Sequence, residues 1–360
     1  MFGGTYQGRR VLLTGHTGFK GAWLSLWLKQ LGAEVTGYAL SPTQQQNNFV
    51  HGNLSRFLKA DIRGDVRDLE HVRTVVEQYQ PEVVFHLAAQ PLVRHSYQDP
   101  VYTFDVNVRG TANVLEAIRL AKRPCRVIVV TSDKCYENRE MDYAYREDDP
   151  MGGHDPYSAS KGCEELVAAA YRASFFAQDG NILLASARAG NVIGPGDWAE
   201  NRIVPDAVRA VSSGHVLPVR SPKAIRPWQH VLEPLCGYLR LGQALEEEGA
   251  AVAEGWNFGP DPTGKYTVEE LVDLFCQEWG GGAVWAATPD SEKLHEAHLL
   301  QLSIEKAAAR LRWHPTWDFD TTVRRTARGY RRLLAATGSD DVCSFMKEEI
   351  AAYEAARKGN

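Results

Sequence analysis

The sequence has no run of 18 apolar residues, no CxxC pair, no cluster of cysteine with histidine, no internal repeat and no surplus of positive charge. Each absence excludes a class of protein. Without a long apolar run no membrane-spanning helix is expected. The N-terminal MFGGTYQGRRVLLTG enters a strand pattern directly, with neither an apolar leader core nor a small-residue cleavage site, so a cytoplasmic chain without a membrane partner is expected. Six cysteines (Cys125, Cys135, Cys163, Cys236, Cys276, Cys343) lie far apart, which argues against a disulfide framework or thiolate metal site and for reduced, mostly core thiols. With 45 acidic against 40 basic residues the net charge is -5, the wrong sign for a nucleic-acid surface. No biased run exceeds QQQNN.

What is present is a long alternation of short apolar runs with amphipathic ones. RRVLLT at 9–14, EVTGYAL at 34–40, a run near 57–61, EVVFHLA at 82–88, RVIVVTS at 126–132 and NILLASAR at 181–188 read as strands. Helical patterns separate them: AWLSLWLKQLG with Gly32 as its C-cap, then 68–79, 100–121 and 157–178. This βαβ rhythm predicts a parallel sheet covered by helices on both faces. It breaks at 191–230, a stretch rich in Gly, Pro and Trp with one helix near 204–213, and helices mix with short strands after 260.

Gly15, Gly18 and Gly21 form G-x-x-G-x-x-G between the first strand and first helix. Missing side chains there let backbone N–H groups and a helix N-terminus approach a pyrophosphate, although a tight turn alone would also use three glycines. The loop makes the fold an α/β, Rossmann-type doubly wound parallel sheet. Residues 1–190 form the dinucleotide-binding part, with later strands interleaved at about 225–260, and 191–360 form mainly a smaller mixed α/β substrate lobe. Phe19 belongs to the same cofactor loop. Where an acidic ribose anchor usually stands, the strand ends YALSP, leaving only Ser41 as a weaker partner, with no arginine for a 2′-phosphate. The loop alone leaves NAD and NADP open. In GDVRD, Asp65 can accept from an adenine amino group, with Val66 beside it; an exposed loop carboxylate is the plain alternative.

Tyr157 and Lys161 in DPYSASK are four residues apart, on one helix face. An ammonium beside a phenol favours phenolate, which can take a proton from an alcohol; the spacing alone is also common on ordinary helices. TSDK at 131–134 follows a buried strand and adds Ser132, which can bind the same alcohol. Asp133 and Lys134 are surplus to alcohol oxidation and suit a second task, removing one proton and donating another.

These segments together, TGHTGFKG, HLAAQ at 86–90, TSD, YSASK and RAGNVIGPGDW at 188–198, resemble the extended short-chain dehydrogenase/reductase family. Within it, TSDKCY with RPWQHV at 226–231 resembles the CDP-glucose 4,6-dehydratases, over nearly the whole chain. The resemblance implies NAD as cofactor. Tyr157 would be the base at sugar C4, with Lys161 lowering its pKa and Ser132 steadying the hydroxyl. Asp133 and Lys134 would eliminate water across C5 and C6. In the dTDP-glucose dehydratase branch the triplet reads Thr-Asp-Glu, so the resemblance implies that the acid would be Asp133 and that Lys134 stands at the base position instead of a carboxylate. An unperturbed lysine is only about 0.1% neutral near pH 7.4, roughly 4 kcal/mol from being a ready base. Burial would recover part of that; a solvated loop charge is the alternative.

The resemblance places Asn191 on the substrate phosphates. Arg202, Arg220 and Arg226 lie in the irregular segment expected to cover the sugar nucleotide, where guanidinium groups suit a pyrophosphate. Ala88 and Ala89 are expected to leave room under the cofactor, with Gln90 facing the sugar. His230 is read as a core or substrate-lobe histidine, and no metal is expected. The helices at 100–121 and 157–178 are those that family members pair in a dimer, so a homodimer or dimer of dimers is expected, in a chain serving 3,6-dideoxyhexose and O-antigen synthesis. Two rivals stay open: another sugar-nucleotide enzyme of this fold, such as a dTDP- or GDP-sugar dehydratase or a 4-epimerase, and a non-catalytic dinucleotide sensor.

Overall fold

The computed structural model describes residues 1–42, 46–261, 264–288 and 299–359. Residues 44 and 45 of the QQQNN loop, and residues 289–298 of the C-terminal segment, lie outside the described residues.

Seven strands form one parallel sheet: β1 Arg10–Thr14, β2 Glu34–Ala39, β3 Ala60–Arg63, β4 Val83–His86, β5 Cys125–Val130, β6 Ile182–Arg188 and β7 Gly255–Asn257. Their order is β7-β6-β5-β4-β1-β2-β3. The central strands are apolar on both faces because helices cover both, which is why they read as continuous runs. One face packs against helices Phe19–Gln30 and Leu232–Glu247, and helix Ser339–Gly359 lies over the first of these, through Trp23, Trp27, Leu235, Phe345 and Tyr353. The other packs against Leu69–Tyr79, Gly110–Ala121 and Pro156–Tyr171, through Val75, Leu115 and Ala168. A third apolar cluster joins helices Ile203–Ser212, Val268–Trp279 and Phe319–Ala335 around Trp198, Trp228 and Tyr330.

From β1 the chain moves outward through β2 and β3, then returns to β4 on the other side of β1. The carboxyl ends of β1 and β4 therefore diverge into a crevice, the place where open α/β sheets bind ligands.

The local signals explain most boundaries. Asp68 caps its helix by accepting from His71 N–H, and Gly32 closes the first helix with φ 84°. Three expectations change. The third strand begins at Ala60, later than expected. The helix expected over 100–121 is Pro100–Phe104 and Gly110–Ala121, joined by a π-helical turn at Asp105–Arg109. The one expected over 157–178 likewise passes into a π turn at Arg172–Phe176. An extra residue per turn rotates the face that follows, which a regular 3.6-residue pattern cannot anticipate.

Candidate active site

The crevice opens into a cavity of about 960 Å³ lined by the glycine loop, the ends of β4 and β5, the start of helix Pro156–Tyr171 and the segment 189–228. It therefore gathers residues that are far apart in sequence.

The glycine loop is shaped by close approach. Gly15 has φ 74°, and a Cβ there would meet Ala88 N at 2.8 Å; a Cβ on Gly21 would lie 2.1 Å from Gly15 O. The loop thus folds tightly beneath the N-terminus of Phe19–Gln30, with Gly18 as N-cap. This bare cradle at a helix start fits a dinucleotide pyrophosphate. Gly15, Gly18, Phe19, Gly21, Asp65, Val66, Ala88 and Ala89 all line the cavity, as does half-exposed Leu40 where an acidic ribose anchor would stand. Asp65 already accepts from Arg67, at 3.0 Å from its N–H and 2.7 Å from its guanidinium. That cation holds the carboxyl below its usual range.

The expected Ser, Tyr and Lys meet in one wall of the cavity. Asp155 caps helix Pro156–Tyr171 through Ser158 N–H and hydroxyl, with Pro156 in the first turn, so Tyr157 is fixed at the helix start. Ser132 lies close enough to the Tyr157 phenol to draw its pKa down. Lys161 Nζ lies 5.9 Å from the Tyr157 ring centroid. Burial nevertheless pushes the Tyr157 pKa up, outweighing the Lys161 cation that draws it down. The expected fall toward neutrality is therefore not reached by the protein groups alone.

Ser132 donates to Asp133 Oδ1 at 2.9 Å and accepts the Lys134 backbone N–H at 3.2 Å, closing a tight turn off β5. Asp133 is buried, and its Oδ2 has no hydrogen-bond partner among the described residues. Lys134 is half-buried on the same wall and makes no ion pair among the described residues. Behind them, Glu165 accepts from Thr131 at 2.5 Å, Ser186 at 2.6 Å and Arg188 at 2.9 Å, tying the ends of β5 and β6 together. On β4, His86 sits between Thr14 and Thr111, and burial pushes its pKa to about 3, so it stays neutral.

On the substrate side, Asn191 adopts φ 46° and lines the cavity with Arg202, Arg220 and Arg226. Arg202 donates to Asp197 at 2.8 Å, Arg226 to its neighbour Ile225 O at 3.0 Å, and Arg220 stands exposed at the rim. Trp228 lines the same wall, with an indole N–H that finds no partner among the described residues. Gln90 departs from expectation. Its amide donates to Leu92 O and Thr103 and accepts from Leu92 N–H, so it fastens the loop after β4 and does not line the cavity. His230 is wholly buried against Trp317, 4.8 Å between rings, and burial lowers its pKa to about 3. It is a core residue. Among the described residues no His, Cys, Asp and Glu group could hold a metal ion.

Two groups escape the sequence reading. Lys20, inside the glycine loop, reaches Tyr238 Oη at 3.3 Å, and burial with nearby Arg202 and Lys161 lowers its pKa to about 7. Glu164 binds Lys161 through both oxygens, at 2.8 and 3.0 Å. The available signals are a lysine between Phe19 and Gly21, and a carboxylate three residues beyond Lys161 on one helix face.

The chain matches the family model described as GDP-mannose 4,6 dehydratase over residues 12–326. It is 46% identical over 355 residues to a CDP-glucose 4,6-dehydratase from Salmonella typhimurium, covering 98% of each chain. The fold is shared with a dTDP-glucose 4,6-dehydratase from Streptomyces venezuelae solved with NAD and TYD bound: TM-score 0.75, 23% identity, 89% of this chain and 97% of that one. It is also shared with the UDP-glucose 4-epimerase of Thermus thermophilus solved with NAD: TM-score 0.74, 25% identity, 89% of this chain and 99% of that one. The glycine cradle, the Ser132, Tyr157 and Lys161 wall and these likenesses agree, and the chain belongs to the nucleotide-sugar 4,6-dehydratase family of extended short-chain dehydrogenases/reductases.

Proposed function

We propose that this chain is an NAD-dependent CDP-glucose 4,6-dehydratase, a hydro-lyase that converts CDP-D-glucose to CDP-4-keto-6-deoxy-D-glucose. The observation that carries this reading is the placement of Asp133 and Lys134 in the same cavity wall as Ser132, Tyr157 and Lys161. A 4-epimerase needs the last three alone, and a sensor needs none of them.

Bound NAD would supply the hydride acceptor for C4 and the hydride donor for C6. The glycine loop with Asp65, Val66, Ala88 and Ala89 would hold it. Tyr157 takes the C4 hydroxyl proton while Ser132 binds that oxygen, and Lys161 stabilises the phenolate. The resulting C4 ketone acidifies the C5 proton, which Lys134 removes. Asp133, with its unpartnered Oδ2 in a buried position, protonates the departing C6 hydroxyl. Water leaves as a C5–C6 enone forms; once hydride is returned to C6, Lys134 gives its proton back to C5, so the net change is loss of one water with no reductant consumed.

Asn191 and the arginines at 202, 220 and 226 are assigned to the diphosphate, with Gln90 acting through the loop it fastens. Residues 1–190 with 225–260 serve the cofactor and 191–360 mainly the nucleotide sugar. Exposed Val101, Phe104, Leu166 and Phe175, on the two helices expected to pair, support a homodimer or dimer of dimers. No described helix is long and apolar enough to cross a membrane, in keeping with a cytoplasmic enzyme supplying 3,6-dideoxyhexose and O-antigen synthesis. Comparing turnover of CDP-, dTDP-, UDP- and GDP-sugars tests the nucleotide. The highest kcat/KM is expected with CDP-glucose, and preference for another base would overturn that choice.

A further inference from the structure

Helix Pro156–Tyr171 carries two adjacent buried carboxylates with separate cations. Glu165 belongs to Arg188 and the strand-end hydroxyls. Glu164 belongs to Lys161, with both Lys161 Nζ contacts at 3.0 Å or less and the two side chains 2% and 3% exposed. A buried ion pair is weak evidence of stabilisation, because desolvating both charges offsets their attraction. A lysine stem is also flexible, and its ammonium is a point charge that any acceptor can redirect. A two-oxygen hold on the amine beside the cavity therefore calls for an explanation other than stability.

We propose that Glu164 is a positioning residue that fixes the Lys161 ammonium in place and keeps it a cation beside Tyr157. This rests on the reading of Tyr157 as base and Lys161 as its electrostatic partner. Burial drives an amine toward its neutral form, and a neutral Lys161 would leave the phenolate unsupported. Glu164 opposes that direction: burial lowers the Lys161 pKa, the Glu164 carboxylate, followed by the Tyr157 phenol, raises it, and the net shift is upward. Burial in turn pushes Glu164 up to about 7. The other ionisable groups around the pair are Tyr157 and Glu165 on the same helix, and Cys135 and Asp133 on the turn after β5. Beyond these are Arg188 on β6, His86 on β4, Lys20 on the first helix and Arg202 before Ile203–Ser212. None of these but Glu164 hydrogen-bonds the ammonium.

The test is the pH dependence of CDP-glucose turnover in Glu164→Gln, which keeps the size and an acceptor oxygen but removes the charge. The alkaline limb of kcat is expected to move to lower pH by about one unit or more, with KM changed less than about twofold. Glu164→Asp retains the charge on a shorter arm and is expected to leave that limb in place while lowering kcat. An unmoved alkaline limb in Glu164→Gln, with thermal stability alone reduced, would show the pair to be structural and overturn the proposal. Should Glu164→Gln fail to fold, a shifted limb in Glu164→Asp would overturn it instead. Lys161→Met separates the underlying reading: wild-type kcat in that variant would remove the role of Lys161 itself.

Discussion

Gly190 and Asp133 share one space: a Cβ at residue 190 would lie 1.7 Å from Asp133 Oδ2 and 2.0 Å from its Cγ. The carboxylate occupies the volume that a side chain at 190 would fill, so the absence of a Cβ at 190 is what leaves it its place in the cavity wall. Gly190→Ala is therefore expected to displace Asp133 and lower kcat by about 100-fold, the scale of a misplacement of about 1 Å. Binding of NAD, measured by titration, is expected to change little, because the glycine cradle lies elsewhere.

The two halves of the reaction separate by residue. Tyr157→Phe is expected to abolish C4 oxidation, so no reduced nicotinamide absorbance develops on mixing with substrate and NAD. In Lys134→Ala and Asp133→Asn oxidation persists but elimination stalls, with dehydration slowed by about 100-fold or more and reduced cofactor accumulating on the enzyme. Stopped-flow absorbance in the near ultraviolet reads both outcomes.

Lys20 gives a pH dependence of stability whose sign follows from its depressed pKa of about 7. The unfolded amine titrates near about 10.4, so the folded state disfavours the proton that the unfolded state holds. The penalty is complete below about 7 and fades as pH rises from there toward the unfolded value. Lys20→Met is thus expected to raise the melting temperature more at pH 6 than at pH 10. Equal gains at both pH values would contradict a buried cation at this site.

Cofactor retention should be weak. Leu40 stands where an acidic ribose anchor is usual, and Asp65 is already engaged by Arg67. Protein purified without added cofactor is expected to carry far less than one NAD per chain by absorbance and mass, and stoichiometric retention would refute this.

Much of this site is legible in the sequence where chemistry constrains spacing. Gly15, Gly18 and Gly21 are readable because backbone approach excludes side chains, and Tyr157 with Lys161 because one helix face must present both. Ser132 is readable because a polar triplet follows directly on a buried strand. Gln90 points elsewhere than the sequence suggests because its direction depends on Thr103 and Leu92, contacts that no local pattern records. Lys20 and Glu164 are hidden because a charged residue on a helix is ordinarily solvated, and burial emerges only when neighbours from distant strands close around it. The π turns at Asp105–Arg109 and Arg172–Phe176 are invisible because the apolar periodicity persists on either side of them.

The most direct measurement uses CDP-glucose deuterated at C4, incubated with the purified protein and NAD, with the product followed by mass and by nuclear magnetic resonance. The account predicts a product lighter by one water, deuterium retained at C6, and no net reduced cofactor. A product of unchanged mass with inverted C4, or deuterium lost from the sugar, would contradict an internal redox cycle closed by Asp133 and Lys134.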